Sequence, residues 1–350
     1  MSCSQRRLLV VAVIILGLIT PRPASAAGGW VEMYSVAHLA QEKPRFEARV
    51  RDLYKILKSL LSASEQSALQ GVELQFPLGD PAAEPFAFYH RGPVVTMSVF
   101  SLLFVEDLCT AYAWLYSKGY SLETVDEYVT MLKYKRAADF PGGRYSPPLT
   151  ALGVPADAWH DSAVNTLSLR LRNSAYAFIM AHELGHIVKK HRDYADITMA
   201  ESRRQEAEAD AFALDVLSRA SEIPMGAILY FQAQAYMMPS LGQYIAEGKS
   251  RQDWEAAVLK EMTHPLTADR LHELALGLEN AANHEPRAAE RDTLHYIATR
   301  LLSIAETLQD ADLQQCMAVA AAHASPAVLA PQRPGLGTTA GFLEKCVKKR

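Results

Sequence analysis

Between residues 44 and 62, apolar side chains recur at helical spacing. Phe46, Val50, Leu53, Ile56, Leu57 and Leu60 form one stripe, which predicts an amphipathic helix. The pattern then shortens. Segments at 72–78, 86–90 and 94–99 have strand character, and the last two flank Arg91-Gly92-Pro93. That predicts a hairpin and a small three-stranded sheet. From Phe100 to Lys118 an apolar run predicts a helix, and Ser121 opens another that reaches about Ala138. Gly142, Gly143, Pro147 and Pro148 make 141–155 a loop, placed where it could border a cleft. Helical patterning then resumes over 156–171, 173–191, 199–219, 224–238, 251–263, 267–282 and 286–309. Strands first and helices after predict a mostly helical α+β fold. No internal repeat is visible. Prolines and glycines return between Ala324 and about Thr339, and 311–350 reads as a mobile tail.

The first 26 residues have a different pattern. Arg6 and Arg7 precede a short apolar stretch from Leu8 to Ile19, and Ala24-Ser25-Ala26 offers small residues before Ala27. This is the form of a cleaved export signal. The expected mature chain, 27–350, is a periplasmic or secreted protein with one large domain over 27–310. Removing Arg6, Arg7 and Arg22 leaves 32 Lys and Arg against 39 Asp and Glu, a net charge of −7. An acidic chain without a basic block argues against nucleic acid. Past residue 26 the longest apolar run, 94–105, is too short to span a bilayer. Three cysteines follow the leader: Cys109 lies in an apolar helical run, while Cys316 and Cys346 could pair in an exported protein.

The chemistry lies in 173–191. His182-Glu183-Leu184-Gly185-His186 is an H-E-x-x-H on a predicted helix, where Tyr176, Ile179, Met180, Ile187 and Val188 recur at helical spacing. Two histidines four apart share a face and can reach one metal ion. Glu183 is turned about 100° from His182, beside the metal rather than on it, where a base for an activated water is needed. The chain has 11 histidines, so chance alone can generate this motif, and a further ligand matters. Glu206, twenty residues after His186, lies on the next predicted helix with Asp210 four residues on. Glu206 would be the third ligand. Asp210 would accept the outer N–H of a ligand histidine, and Glu208 falls on the solvated side. His191, at i+5 from His186, projects about 140° away on an ideal helix and is not expected to be a ligand. His-His-Glu with one open position is the pattern of a catalytic zinc, one ion per chain.

These segments resemble the H-E-x-x-H gluzincin metallopeptidases, and most closely the HtpX/Oma1/BepA-type zinc endopeptidases. The similarity covers His182 to His191, then Glu206-Ala-Glu-Ala-Asp-Ala-Phe-Ala213, then Thr263-His-Pro-Leu-Thr-Ala-Asp-Arg270. It spans under a third of the chain. The short spacing from His186 to Glu206 is closer to thermolysin-like or ImmA-like members. The resemblance implies a zincin-like catalytic domain. It implies Arg270 as a donor to the tetrahedral intermediate, and His264 as a latch that takes the open metal position. The expectation is an exported zinc endopeptidase acting on protein or peptide substrates, in contact with other envelope proteins. A second reading is an envelope chaperone or scaffold with a latent or structural metal. A third is a zinc hydrolase of a non-peptide bond, because H-E-x-x-H specifies water activation and not the scissile bond.

Overall fold

Ser35 accepts the N–H of His38 and opens α1 (Val36–Ser59). The apolar stripe predicted from Phe46 extends backward to buried Leu39, so the helix starts before Pro44 and carries it inside. The computed structural model describes residues 32–80, 85–192, 197–237, 241–246, 248–261, 264, 266–326, 329 and 346. The expected leader at 1–26 and almost all of the chain beyond 326 lie outside the described residues.

A short α2 (Ala63–Ala68), opened by a capping box between Ser62 and Glu65, leads to the sheet. β1 (Glu73–Gln75), β2 (Phe88–Arg91) and β3 (Val94–Met97) are ordered β1-β3-β2. β3 runs parallel to β1 and antiparallel to β2. Gly92, with φ 55°, makes the expected hairpin turn. This leaves β2, with His90, on an edge of the sheet.

Ser98 caps α3 (Val99–Ser117). Among the described residues it is the one helix long and apolar enough to cross a membrane, although 78% of its most apolar window is buried inside the fold. Here it is a core helix. α4 (Glu123–Tyr134) starts after Leu122 without a side-chain cap, so the Ser121 signal was misleading. Within 141–155 a single turn, α5 (Pro148–Ala151), packs on α3. Tyr128 Oη donates to Ser146 O at 2.8 Å and ties this segment to α4.

The sequence suggested two helices over 156–191. They are one, α6 (Ser162–Lys189), capped by Asp161. Nothing between 162 and 184 is Gly or Pro, and buried residues run through the join at Arg172 and Ser174. The remaining helices are α7 (Met199–Arg219), α8 (Met225–Met237), α9 (Leu241–Ala246), α10 (Arg251–Glu261), α11 (Ala268–His284), α12 (Ala288–Gln309) and α13 (Ala311–His323). α7 has the predicted bounds. α13 departs from the tail expected at 311–350: Asp310 caps it, and Leu313, Met317 and Ala321 bury one face. It packs on α4 and α9, and a disulfide joins Cys316 to Cys346. The fold is mostly helical α+β, and α6 is its axis, packed against α3, α7 and α8.

Two glycines allow that packing. A Cβ on Gly226 of α8 would lie 1.8 Å from Leu171 O of α6. A Cβ on Gly185 of α6 would lie 3.2 Å from both Ala209 Cα and Ala209 O of α7. The second approach brings the two histidines of α6 against the carboxylates of α7.

Candidate metal centre

His182, Glu183 and His186 sit on the last turns of α6, Glu206 and Asp210 on one face of α7, and His264 just before α11. All six are buried. Ligand atoms of His182, His186, Glu206 and His264 lie within 4.8 Å of one another. His182 Nε2 and His186 Nε2 are 3.0 Å apart. The nearest Glu206 oxygens are 3.4 Å from His182 Nε2 and 3.5 Å from His186 Nε2. His264 Nδ1 stands 3.0 Å from Glu206 Oε1 and 3.3 Å from His182 Nε2. Its Nε2 reaches Glu183 Oε1 at 3.0 Å.

A second layer holds these groups. Asp210 Oδ1 is 2.7 Å from His182 Nδ1, on the ring edge facing away from the centre. Arg270 donates to Asp210 through Nε and Nη2 at 2.7 and 2.8 Å, and its Nη1 is 2.5 Å from Glu206 Oε2. Its N–H groups are turned to two carboxylates in a buried fork that holds Glu206 and Asp210.

Two further residues reach the centre: His90, which had no signal in the motif pattern, and His191, which the resemblance covered without giving it a role. His90 reaches in from β2, its ring stacked on that of His186 at 4.9 Å, with Nδ1 3.4 Å from Glu183 Oε2. It lies 93 residues before Glu183, and only the hairpin's packing on α6 brings it there. His191 was expected to point away. However, α6 ends before it. Lys190 adopts a left-handed conformation (φ 57°), and His191 N–H donates to His186 O at 3.0 Å. That turn carries His191 Nδ1 to within 2.8 Å of His186 Nδ1.

The electrostatics are those of a cation site. Burial would raise Glu206, but Arg270, His264 and His182 hold it well below the usual carboxylate range. Burial would likewise raise Glu183, and His264 with His90 holds it low. Burial lowers His264, yet Glu183 and Glu206 on either side push it up to about 10. Burial drives His186 down, to the neutral imidazole. The three buried carboxylates Glu183, Glu206 and Asp210 face one buried guanidinium, Arg270, and His264, pushed up to about 10, adds a second positive charge. Loss of the His264 proton would leave two negative charges that demand compensation. The Asp210 contact places the His182 proton on Nδ1 and turns the Nε2 lone pair toward the centre. A divalent cation that accepts nitrogen and carboxylate ligands fits both the charge and the lone pairs. These residues could bind a metal ion.

Comparison with known proteins adds one finding. Residues 159–290 match the model of a family described as Peptidase U49. The match covers less than half of the chain and takes in α6, α7 and Arg270. No curated protein and no solved structure matches the chain. The family match and the His-His-Glu-His cluster support a metallopeptidase-like domain.

Proposed function

We propose that this chain is an exported zinc endopeptidase of the H-E-x-x-H class, acting on protein or peptide substrates in the cell envelope. The observation that carries the proposal is the buried convergence of His182, His186 and Glu206 with Glu183 beside them. Residues 159–290 resemble a peptidase family over the same elements. The Cys316–Cys346 disulfide favours an oxidising compartment, in line with the leader pattern at 1–26.

His182, His186 and Glu206 would hold the ion. When bound, zinc would supply Lewis acidity, polarising a peptide carbonyl and acidifying the attacking water. Glu183, kept ionised, takes the water's proton on a carboxylate oxygen as the C–O bond forms. It then delivers that proton to the amine nitrogen as the C–N bond breaks. His90 Nδ1, 3.4 Å away, steadies the other Glu183 oxygen. Asp210 and Arg270 keep His182 and Glu206 aimed.

The described conformation fits a resting state. Every group of the centre is buried, and His264 lies against Glu183, Glu206 and His182 together. It thus fills the open side of the centre and engages the base. Access for a peptide requires His264 to leave.

One experiment tests both parts. Wild type, Glu183→Gln and His264→Ala are incubated with an unfolded protein and zinc, and products are identified by mass spectrometry. Wild type should yield internal peptide cleavages, and Glu183→Gln should be slower by ~10²–10⁴-fold with its metal retained. His264→Ala should be faster than wild type. Cleavage by Glu183→Gln at the wild-type rate would overturn the mechanism. No cleavage by any of the three would favour the chaperone reading or a non-peptide substrate.

A further inference from the structure

We infer that Glu208, His191 and His186 form a hydrogen-bonded array in which His191 sets the tautomer and aim of His186, so that His191 is a positioning residue of the metal centre. The inference rests on the metal reading above and extends it to residues that the motif does not include.

His191 is placed by backbone geometry. α6 closes with Lys190 N–H on Ile187 O at 3.1 Å and His191 N–H on His186 O at 3.0 Å, around a left-handed Lys190. These are the paired bonds of a Schellman turn. Glycine usually takes the left-handed position, because a Cβ there is unfavourable. Here the chain holds a lysine in it. The effect is to fold residue 191 back over the end of its own helix.

The side chains then fit in one order. Glu208 Oε2 lies 3.0 Å from His191 Nε2, and Arg204 Nη1 donates to Glu208 Oε1 at 2.6 Å, keeping the carboxylate charged and in place. A carboxylate accepts, so His191 carries its proton on Nε2. Its Nδ1 is then a lone pair. That lone pair faces His186 Nδ1 at 2.8 Å, and only a proton on His186 Nδ1 makes the contact favourable. His186 Nε2 is thereby left as a lone pair, and it points at His182 Nε2 and Glu206. Asp210 does the same for His182 from the other side. Each ligand imidazole therefore has its outer nitrogen occupied: His182 by a carboxylate directly, His186 by a carboxylate acting through a second imidazole. The His191 side chain is only 3% exposed, so water does not easily replace it.

The test uses metal binding as its readout. Full-length protein is titrated with Co²⁺ against a competing chelator, and the visible spectrum of the bound ion is recorded for wild type, His191→Phe and His191→Asn. Phenylalanine keeps the ring and removes the acceptor. Asparagine places a carbonyl oxygen near the position of Nδ1. His191→Phe should bind Co²⁺ about 10–100-fold more weakly with a shifted spectrum, while the unfolding midpoint of the metal-free protein stays at the wild-type value. His191→Asn should recover most of the affinity and the wild-type spectrum. A Phe variant equal to wild type, or an Asn variant as weak as Phe, would overturn the array. Wild type that takes up no Co²⁺ would overturn the metal reading, and the array with it.

Discussion

Asp210 serves two neighbours at once, accepting from His182 on one side and from Arg270 on the other. Its removal should therefore act on the metal and on the fold together. Asp210→Ala is expected to weaken metal binding by roughly 10–100-fold. Arg270→Met leaves Glu206 and Asp210 buried without their guanidinium and should destabilise the protein by about 3–5 kcal/mol. Equilibrium dialysis and urea unfolding check the two effects; an Arg270→Met variant as stable as wild type would contradict the buried fork. At this scale the candidate ligands could be grouped from the sequence because a 3.6-residue repeat puts positions four apart on one face. That geometry holds for His182 with His186 and for Glu206 with Asp210. It fails at His191, where the helix has already ended, and at His90, whose approach is a tertiary contact. The Arg270 fork to Asp210 and Glu206 was not legible, because its partners are set by the packing of α11 on α7. Glu208, on the expected solvated side, is partly exposed as expected yet still reaches His191.

Among the elements, α6 depends on how closely its neighbours approach. At Gly226 an added Cβ would overlap the α6 backbone, and Gly226 N–H also donates to Ser174 Oγ at 2.8 Å. At Gly185 the added Cβ would meet α7 at 3.1–3.2 Å, which a small shift can absorb. Gly185→Ala should cost about 1–3 kcal/mol, typical of overpacking, and weaken metal binding by moving His186 away from Glu206. Gly226→Ala should cost more, because the obstacle is backbone that cannot change rotamer. Chemical denaturation of both variants checks the order, and the reverse order would contradict the described packing of α6. Element type was legible along most of the chain; element ends were not. Pro44 looked like a start until burial of Leu39 extended α1 through it. Ser121 looked like a cap, but α4 begins two residues later. α13 lay in what read as a tail, because a short Ala-rich helix of 13 residues gives little apolar contrast until α4 is there to cover it.

Across the whole molecule, buried carboxyls away from the centre set a pH response. Burial pushes Asp107 of α3 and Asp126 of α4 each up to about 7, although Tyr34 Oη donates to the first and Gln232 to the second. An unfolded aspartate titrates near about 3.9. Between about pH 4 and 7 the folded chain thus retains protons that the unfolded chain has released, and stability falls as pH rises through that window. A double Asp107→Asn, Asp126→Asn variant lacks this slope and should gain on wild type as pH rises, read from urea midpoints at matched pH. A constant difference between the two would contradict it. The account as a whole stands on a metal at the junction of α6 and α7. The most direct measurement is the zinc content of purified wild type, His186→Ala and Glu206→Ala after dialysis against the ion. Wild type should hold about one zinc per chain and both variants almost none; zinc absent from wild type, or equal in all three, would contradict it.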